Sequence, residues 1–243
     1  MSEAARTLRA LHRDRAPGDP LVLPGPWDAA SARAFEAAGF PALATPSAGI
    51  AASLGYEDGS TPAEEMFAQV ARIVRAVSVP VTADMEGGYG LAPEELVGRV
   101  LETGAVGVNL EDSDGRTMND PHAHADWLAA VRAAAGDALF VNARVDVYLR
   151  GVPEPAAAAL ERALLYAAAG ADGIYPIGAP PRDLPGLRAG LGDGPPLNHY
   201  AGPGAPPFAE LGRLGAGRIT FGPGLLLRTL GHVRELAEEL RGA

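Results

Sequence analysis

The residues of this chain best suited to polar chemistry fall into three short runs: Asp84-Met85-Glu86, Asn109-Leu110-Glu111-Asp112 and Asn142-Ala143-Arg144-Val145-Asp146. Each run closes an apolar, β-branched stretch, so each is expected at the C-terminal end of a strand. In Asp84-x-Glu86 the two acids are expected to share a strand face, because side chains alternate along a strand. Glu111 belongs to the next strand, and Asp58, in the long loop after the second strand, can join them. Carboxylates gathered this closely cannot all stay ionised without a cation. A hard divalent ion with oxygen ligands, Mg²⁺ or Mn²⁺, meets that requirement. The competing reading has each acid capping a helix or pairing with arginine. Their grouping on adjacent strands, ahead of Gly87-Gly88-Tyr89-Gly90, favours the ion.

Arg144 is the positive charge expected beside these acids. Its planar guanidinium suits two-point binding of a carboxylate or phosphonate, and it can equally serve to neutralise the acids. Thr45, Ser47 and nearby backbone N–H groups could hold a second anionic oxygen, with Pro46 between them. Trp27, closing the first strand, and Asn198, in the seventh, are further candidates for substrate contact. The polar segment Ser113–His124 reads as a mobile lid that excludes water. Its His122-x-His124 pair suggests metal binding, but a solvated approach to a helix at Asp126 is the better reading.

The elements that must position these groups alternate along the chain. Eight short apolar runs read as strands: Leu21–Pro24, Ala42–Thr45, Val79–Ala83, Gly107–Leu110, Leu139–Ala143, Gly173–Ile177, Pro196–His199 and Arg218–Phe221. Between them lie helical patterns such as Pro62–Ala76, Pro93–Thr103, Asp126–Ala135 and Glu154–Ala169, and Leu225–Arg241 follows the last strand. Strict alternation implies parallel strands with right-handed crossovers. Eight units in 243 residues imply an α/β fold of the (β/α)8 TIM barrel type, one domain over residues 1–243. A doubly wound open sheet is the alternative, but no GxGxxG follows the first strand. Asp28, Thr61 and Asp126 are expected helix caps, and Gly39, Gly104, Gly170 and Gly215 expected helix stops.

Composition removes several classes of chemistry. The formal net charge of −10 argues against nucleic acid and against an anionic membrane surface. There is no Cys and no Lys, so all 20 residues counted as Lys or Arg are arginines. A thiolate nucleophile, a Cys metal site and a Schiff-base lysine are therefore excluded. No apolar run reaches the length of roughly 18 residues expected of a membrane helix. Met1–Arg15 reads as a charged amphipathic helix without the apolar core of a signal peptide, and the expected location is cytoplasmic.

Three segments together resemble the phosphoenolpyruvate mutase/isocitrate lyase superfamily. They are Val79-Pro-Val-Thr-Ala-Asp-Met-Glu-Gly-Gly-Tyr-Gly90, Gly104-Ala-Val-Gly-Val-Asn-Leu-Glu-Asp-Ser113 and Val141-Asn-Ala-Arg-Val-Asp146. Residues Pro24–Phe40, Ser53–Asp58 and Glu210–Pro223 fit the same pattern. The resemblance implies a barrel that holds Mg²⁺ and a small 2-oxo acid or its enolate, and makes or breaks a C–C or C–P bond. It implies that Asp84 touches the metal and that Asp58, Glu86 and Glu111 hold its waters. It also implies that Arg144 grips the substrate carboxylate and that Thr45, Pro46 and Ser47 receive the pyruvyl group.

This sequence departs from the superfamily in its lid. The lyases carry a Lys-Lys/Arg-Cys-Gly-His loop, which has no counterpart in Ser113–Pro121. A cysteine-dependent isocitrate lyase is thus excluded. The mutases carry Lys-x-Asn, where only Arg116 and Asn119 could substitute. The expected activity is lyase or hydrolase action on an oxaloacetate- or phosphonopyruvate-like substrate, with Arg144, Glu111 and Arg116 as catalytic candidates. The alternatives are a catalytically silent 2-oxo-acid-binding protein, or a phosphoenolpyruvate mutase with a variant lid. A purely structural role ranks last, because clustered acids are costly without a ligand. A homo-oligomer, dimer or tetramer, is the expected assembly.

Overall fold

The structure is a computed structural model that describes residues 2–13, 15–16 and 18–242. Eight strands form one parallel sheet: β1 Leu21–Val22, β2 Leu43–Thr45, β3 Val81–Asp84, β4 Gly107–Glu111, β5 Phe140–Val145, β6 Gly173–Pro176, β7 Leu197–Tyr200 and β8 Ala216–Thr220. Their ladder runs β1-β8-β7-β6-β5-β4-β3-β2, so the first two strands are its edges. The seam between those edges carries a backbone hydrogen bond from Ala44 N to Pro24 O at 3.1 Å. The curled sheet with alternating helices is the TIM-barrel-like α/β fold expected from the strand count.

The helices surround this sheet. They are α1 Glu3–His12, α2 Ala29–Ala37, α3 Ser47–Leu54, α4 Ala63–Arg75, α5 Pro93–Thr103, α6 Pro121–Ala135, α7 Pro155–Ala168, α8 Leu184–Leu191, α9 Phe208–Arg213 and α10 Gly224–Gly242. α4 shows how they attach. Met66, Val70 and Ile73, at helical spacing, are fully buried against the sheet, while Glu64 and Arg72 face outward. α1 buries Ala5 and Leu8 against Leu21, Val106 and Phe140, near the strands' N-terminal ends. Arg9 fixes it there through an ion pair with Asp172, which Arg132 also grips. The opposite ends of the strands are left for the site.

Several helix boundaries differ from the sequence expectation. Asp28 does cap α2, forming a reciprocal capping box with Ser31. Thr61 does not cap α4: Pro62 holds that position, and the Thr61 hydroxyl is buried without a partner. α6 begins at Pro121, capped by Asp120, so Asp126 lies inside the helix. Pro at the first helical position accounts for the earlier start. α3 falls in the segment read from sequence as a loop. Its buried Ser47, Gly49, Ile50 and Ala51 lack the polar stripe that marks an amphipathic helix. The four expected stops, Gly39, Gly104, Gly170 and Gly215, all have positive φ.

Candidate active site at the strand ends

The centre of the site is Asp84, the last residue of β3. Its Oδ2 accepts hydrogen bonds from Ser47 Oγ at 2.9 Å and from Ser47 N at 3.4 Å. Its own backbone N–H donates to Thr45 Oγ1 at 3.4 Å. Asp84 Oδ1 is buried and has no partner. A buried carboxylate oxygen left bare is unfavourable unless something binds it. Burial, the largest influence, pushes the Asp84 carboxyl above the usual carboxylate range, and Asp58 adds to the rise.

Glu86 follows by a route the sequence did not indicate. β3 stops at Asp84, and Glu86 takes a left-handed backbone with φ 51°, as does Tyr89 with φ 57°. The acid therefore reaches the site from a strained turn, closed by Gly88 N to Met85 O at 2.9 Å, and not by strand alternation. Non-glycine residues in this region are strained and cluster at functional sites. Burial, then Asp84 and Asp58, push Glu86 up to about 7. Its Oε1 and the Tyr89 hydroxyl lie close enough to perturb each other, yet neither makes a well-formed hydrogen bond.

Glu111 ends β4, and Arg144 lies opposite it on β5. The Arg144 guanidinium pairs with Glu111 through Nη1 and with Asp146 through Nε at 2.7 Å and Nη2 at 3.2 Å. Burial followed by Asp84 raises Glu111 to about 9, against the opposing pull of Arg144. Burial weakens the charge of Arg144, but Glu111, Asp84 and Asp146 outweigh it, and the guanidinium stays charged. Arg144 thus plays the neutralising role that its sequence context left open, and it also lines both chambers of the site.

Those chambers meet at Asp58 and Arg144. The inner one, about 140 Å³, is lined by Thr45, Pro46, Ser47, Asp84, Tyr175 and Thr220, among others. The outer one, about 580 Å³, is lined by Glu86, Tyr89, Glu111, Ser113, Asp114 and Arg150, among others. Asp58, an exposed residue, lies close enough to raise both Asp84 and Glu86. All four predicted metal residues therefore converge on one mouth. Among the described residues, however, no three carboxylates or histidines stand close enough to form a preformed metal cage.

Other predicted residues lie outside the chamber walls. Trp27 packs edge-on to Phe35, with ring centroids 6.4 Å apart. Asn198 is buried behind the inner wall, where its Nδ2 donates to Thr220 Oγ1 at 2.8 Å. Arg116 sits exposed in the tip of a small hairpin. That hairpin is held by a bridge between Ser113 and Met118, and Ser113 Oγ donates to Asp146 Oδ2 at 2.6 Å. The segment Ser113–His124 is thus a tethered hairpin followed by the first turn of α6. His124 is buried in that helix and stacks on Trp127. Burial, then Arg162, lowers it to about 4.

Sequence reasoning missed two participants, Arg150 and Arg218, and gave no role to a third, Asp146. Arg150 faces the outer chamber, so Arg144 does not stand alone. Asp146, fully buried, holds Arg144, Ser113 and, at 3.6 Å, Arg150. Arg218 is fully buried within β8 and donates to Asn109 Oδ1 at 3.3 Å, while its Nε and Nη1 have no partner. A strand position gives no sign of whether an arginine points into a barrel, so Arg218 carried no signal of its own. Arg150, four residues after Asp146, did.

Residues 8–241 match the family model described as phosphoenolpyruvate phosphomutase. A protein of uncharacterised function from Mycobacterium tuberculosis strain H37Rv is 34% identical over 206 residues, spanning 84% of this chain and 78% of that protein. The 2-methylisocitrate lyase of Aeropyrum pernix is 36% identical over 181 residues, spanning 70% of this chain and 56% of the lyase. A solved structure from Burkholderia cenocepacia J2315, provisionally named a phosphonomutase, superposes with a TM-score of 0.90 at 38% identity, covering 98% of this chain and 100% of that one.

Proposed function

The chain belongs to the phosphoenolpyruvate phosphomutase family, whose relatives are lyases, hydrolases and phosphonomutases, and on that premise we propose that it is a Mg²⁺-dependent enzyme acting on a small 2-oxo acid. The observation that carries this reading is the bare Oδ1 of Asp84, buried at the strand ends among Glu86, Glu111 and Asp58. Mg²⁺ keeps several waters and is typically bound by one or two carboxylates. One direct ligand, Asp84, with Asp58, Glu86 and Glu111 holding waters, suits that ion and needs no tight cage. Mn²⁺ suits the same donors. When bound, the ion supplies Lewis-acid stabilisation of an enolate.

The chain's own residues supply the remainder. Ser47 fixes the orientation of Asp84 through its second oxygen. Thr45, Pro46, Ser47 and Ala48 line the inner chamber where the chain enters α3, and the N-terminal end of that helix suits a carboxylate. Arg144 orients the same carboxylate while Asp146 holds its guanidinium in plane. Glu111 and Glu86, both raised, are placed to hold or pass a proton at the chamber wall. Cleavage of a C–C or C–P bond next to the enolate is the reaction this arrangement favours.

The test is a screen of 2-oxo acids for Mg²⁺-dependent thermal stabilisation, with product analysis on the hits. Asp84→Ala is expected to remove both metal uptake and oxo-acid binding, and an unchanged response would reject the assignment. The reading includes association of copies. α10 leaves Leu227, Val233, Leu236 and Leu240 exposed, an apolar stripe that a second copy can cover. Sedimentation should therefore find a dimer or larger species.

A further inference from the structure

Among the described residues lining the two chambers, the cations are Arg144 and Arg150. Arg144 is committed, with three nitrogens on Asp146 and Glu111. Arg150 is not. Its backbone N–H donates to Asp146 O at 3.0 Å, which fixes the turn after β5. Its Nε donates to Ser113 Oγ at 3.2 Å, and its Nη2 stands 3.6 Å from Asp146 Oδ2, too far for a good hydrogen bond. A guanidinium has five N–H donors, so most of those of Arg150 remain available. The side chain is 25% exposed and lines the outer chamber alone.

The two chambers divide a bound 2-oxo acid. Thr45, Ser47, Asp84 and Arg144 surround the inner one, which is the smaller and takes the oxo-acid end. Whatever is attached at C3 must extend past Arg144 into the outer chamber. The walls there carry the exposed carboxylates Asp58 and Asp114, which would repel an anion. Arg150, with most of its donors still available, is the less committed positive charge on that path. Because Asp146 holds Ser113 and lies beside both arginines, one buried carboxylate sets the geometry of both anion contacts.

The geometry points to Arg150 as a specificity-determining residue that receives a second anionic group, a carboxylate or phosphono group, on C3 of the substrate. This rests on the proposed function and assigns one residue of this chain to the second anionic end of such a substrate.

Calorimetry of the full chain with Mg²⁺ tests this with two probes, oxalate and 3,3-difluorooxaloacetate. Oxalate fills the inner chamber alone, while the second probe adds a carboxylate that reaches the outer one. Arg150→Met should leave oxalate affinity little changed and weaken difluorooxaloacetate by about tenfold to a hundredfold, as for loss of a charge-assisted contact. Arg150→Lys should recover part of the preference, and Arg150→Gln serves if the methionine variant does not fold. Equal loss of both probes, or loss of neither, overturns the role of Arg150 while leaving the metal and oxo-acid reading intact. Failure of the unmodified protein to bind oxalate with Mg²⁺ overturns that reading and this inference together.

Discussion

Removing the guanidinium of Arg144 should destabilise the protein more than most single changes, and the size of the loss follows from what it leaves behind. Arg144→Met deletes two hydrogen bonds to Asp146, at 2.7 and 3.2 Å, and the contact with Glu111. Asp146 is fully buried, and it then keeps only Ser113 Oγ at 2.6 Å and a distant Arg150 at 3.6 Å. Breaking a buried ion pair by removing one partner typically costs about 3–5 kcal/mol, because the other charge is stranded. For a chain of this size each kcal/mol lowers the midpoint by about 2–4 °C, so the expected drop is about 6–20 °C. Urea and thermal unfolding at neutral pH, without metal, measure it. Asp146→Asn on the same background removes the stranded charge, and the double variant should be less destabilised than the sum of the singles by about 1–3 kcal/mol. A methionine variant within about 1 kcal/mol of the parent, or strictly additive losses, would refute the idea that Asp146 depends on Arg144.

Further outcomes follow from the same geometry. Glu86 is raised to about 7 and Glu111 to about 9, so both bind protons more tightly folded than unfolded. Their contribution to stability is fully present below the ordinary carboxylate range and is lost as pH rises through those values. Metal-free protein should therefore lose stability between about pH 5 and pH 9, Glu86→Gln should flatten part of the slope, and Mg²⁺ should oppose the loss at the alkaline end. Urea titrations across that range decide it, and a slope that Glu86→Gln leaves untouched would count against the assignment. Gly88 has φ 84°, and an added Cβ would stand 3.0 Å from Trp127 and 3.1 Å from Leu96. Gly88→Ala should therefore cost about 1–3 kcal/mol and disturb Glu86, whereas Gly90→Ala, with open space around it, should cost less.

The sequence determined the architecture because strand and helix signals are local. Apolar runs of β-branched residues, helix-stopping glycines and the Asp28 cap are each decided by a few neighbouring residues, and together they specify eight parallel strands with outer helices. It also placed the candidate site residues, since polar residues that close apolar runs must emerge at strand ends; Asp84, Glu111 and Arg144 all do. What it could not decide is direction and partnership, which depend on contacts between residues far apart in the chain. Strand alternation put Glu86 beside Asp84, but a left-handed turn brings it there. Trp27, Asn198 and Arg116 share the polar character of the site yet pack on Phe35, support Thr220 and face solvent. The buried Asp146, which holds Arg144 and Ser113 and faces Arg150, emerges only when β5, the turn after it and the Ser113 hairpin close around one carboxylate. A buried charge must be met from several sides at once, and only the folded chain brings those sides together.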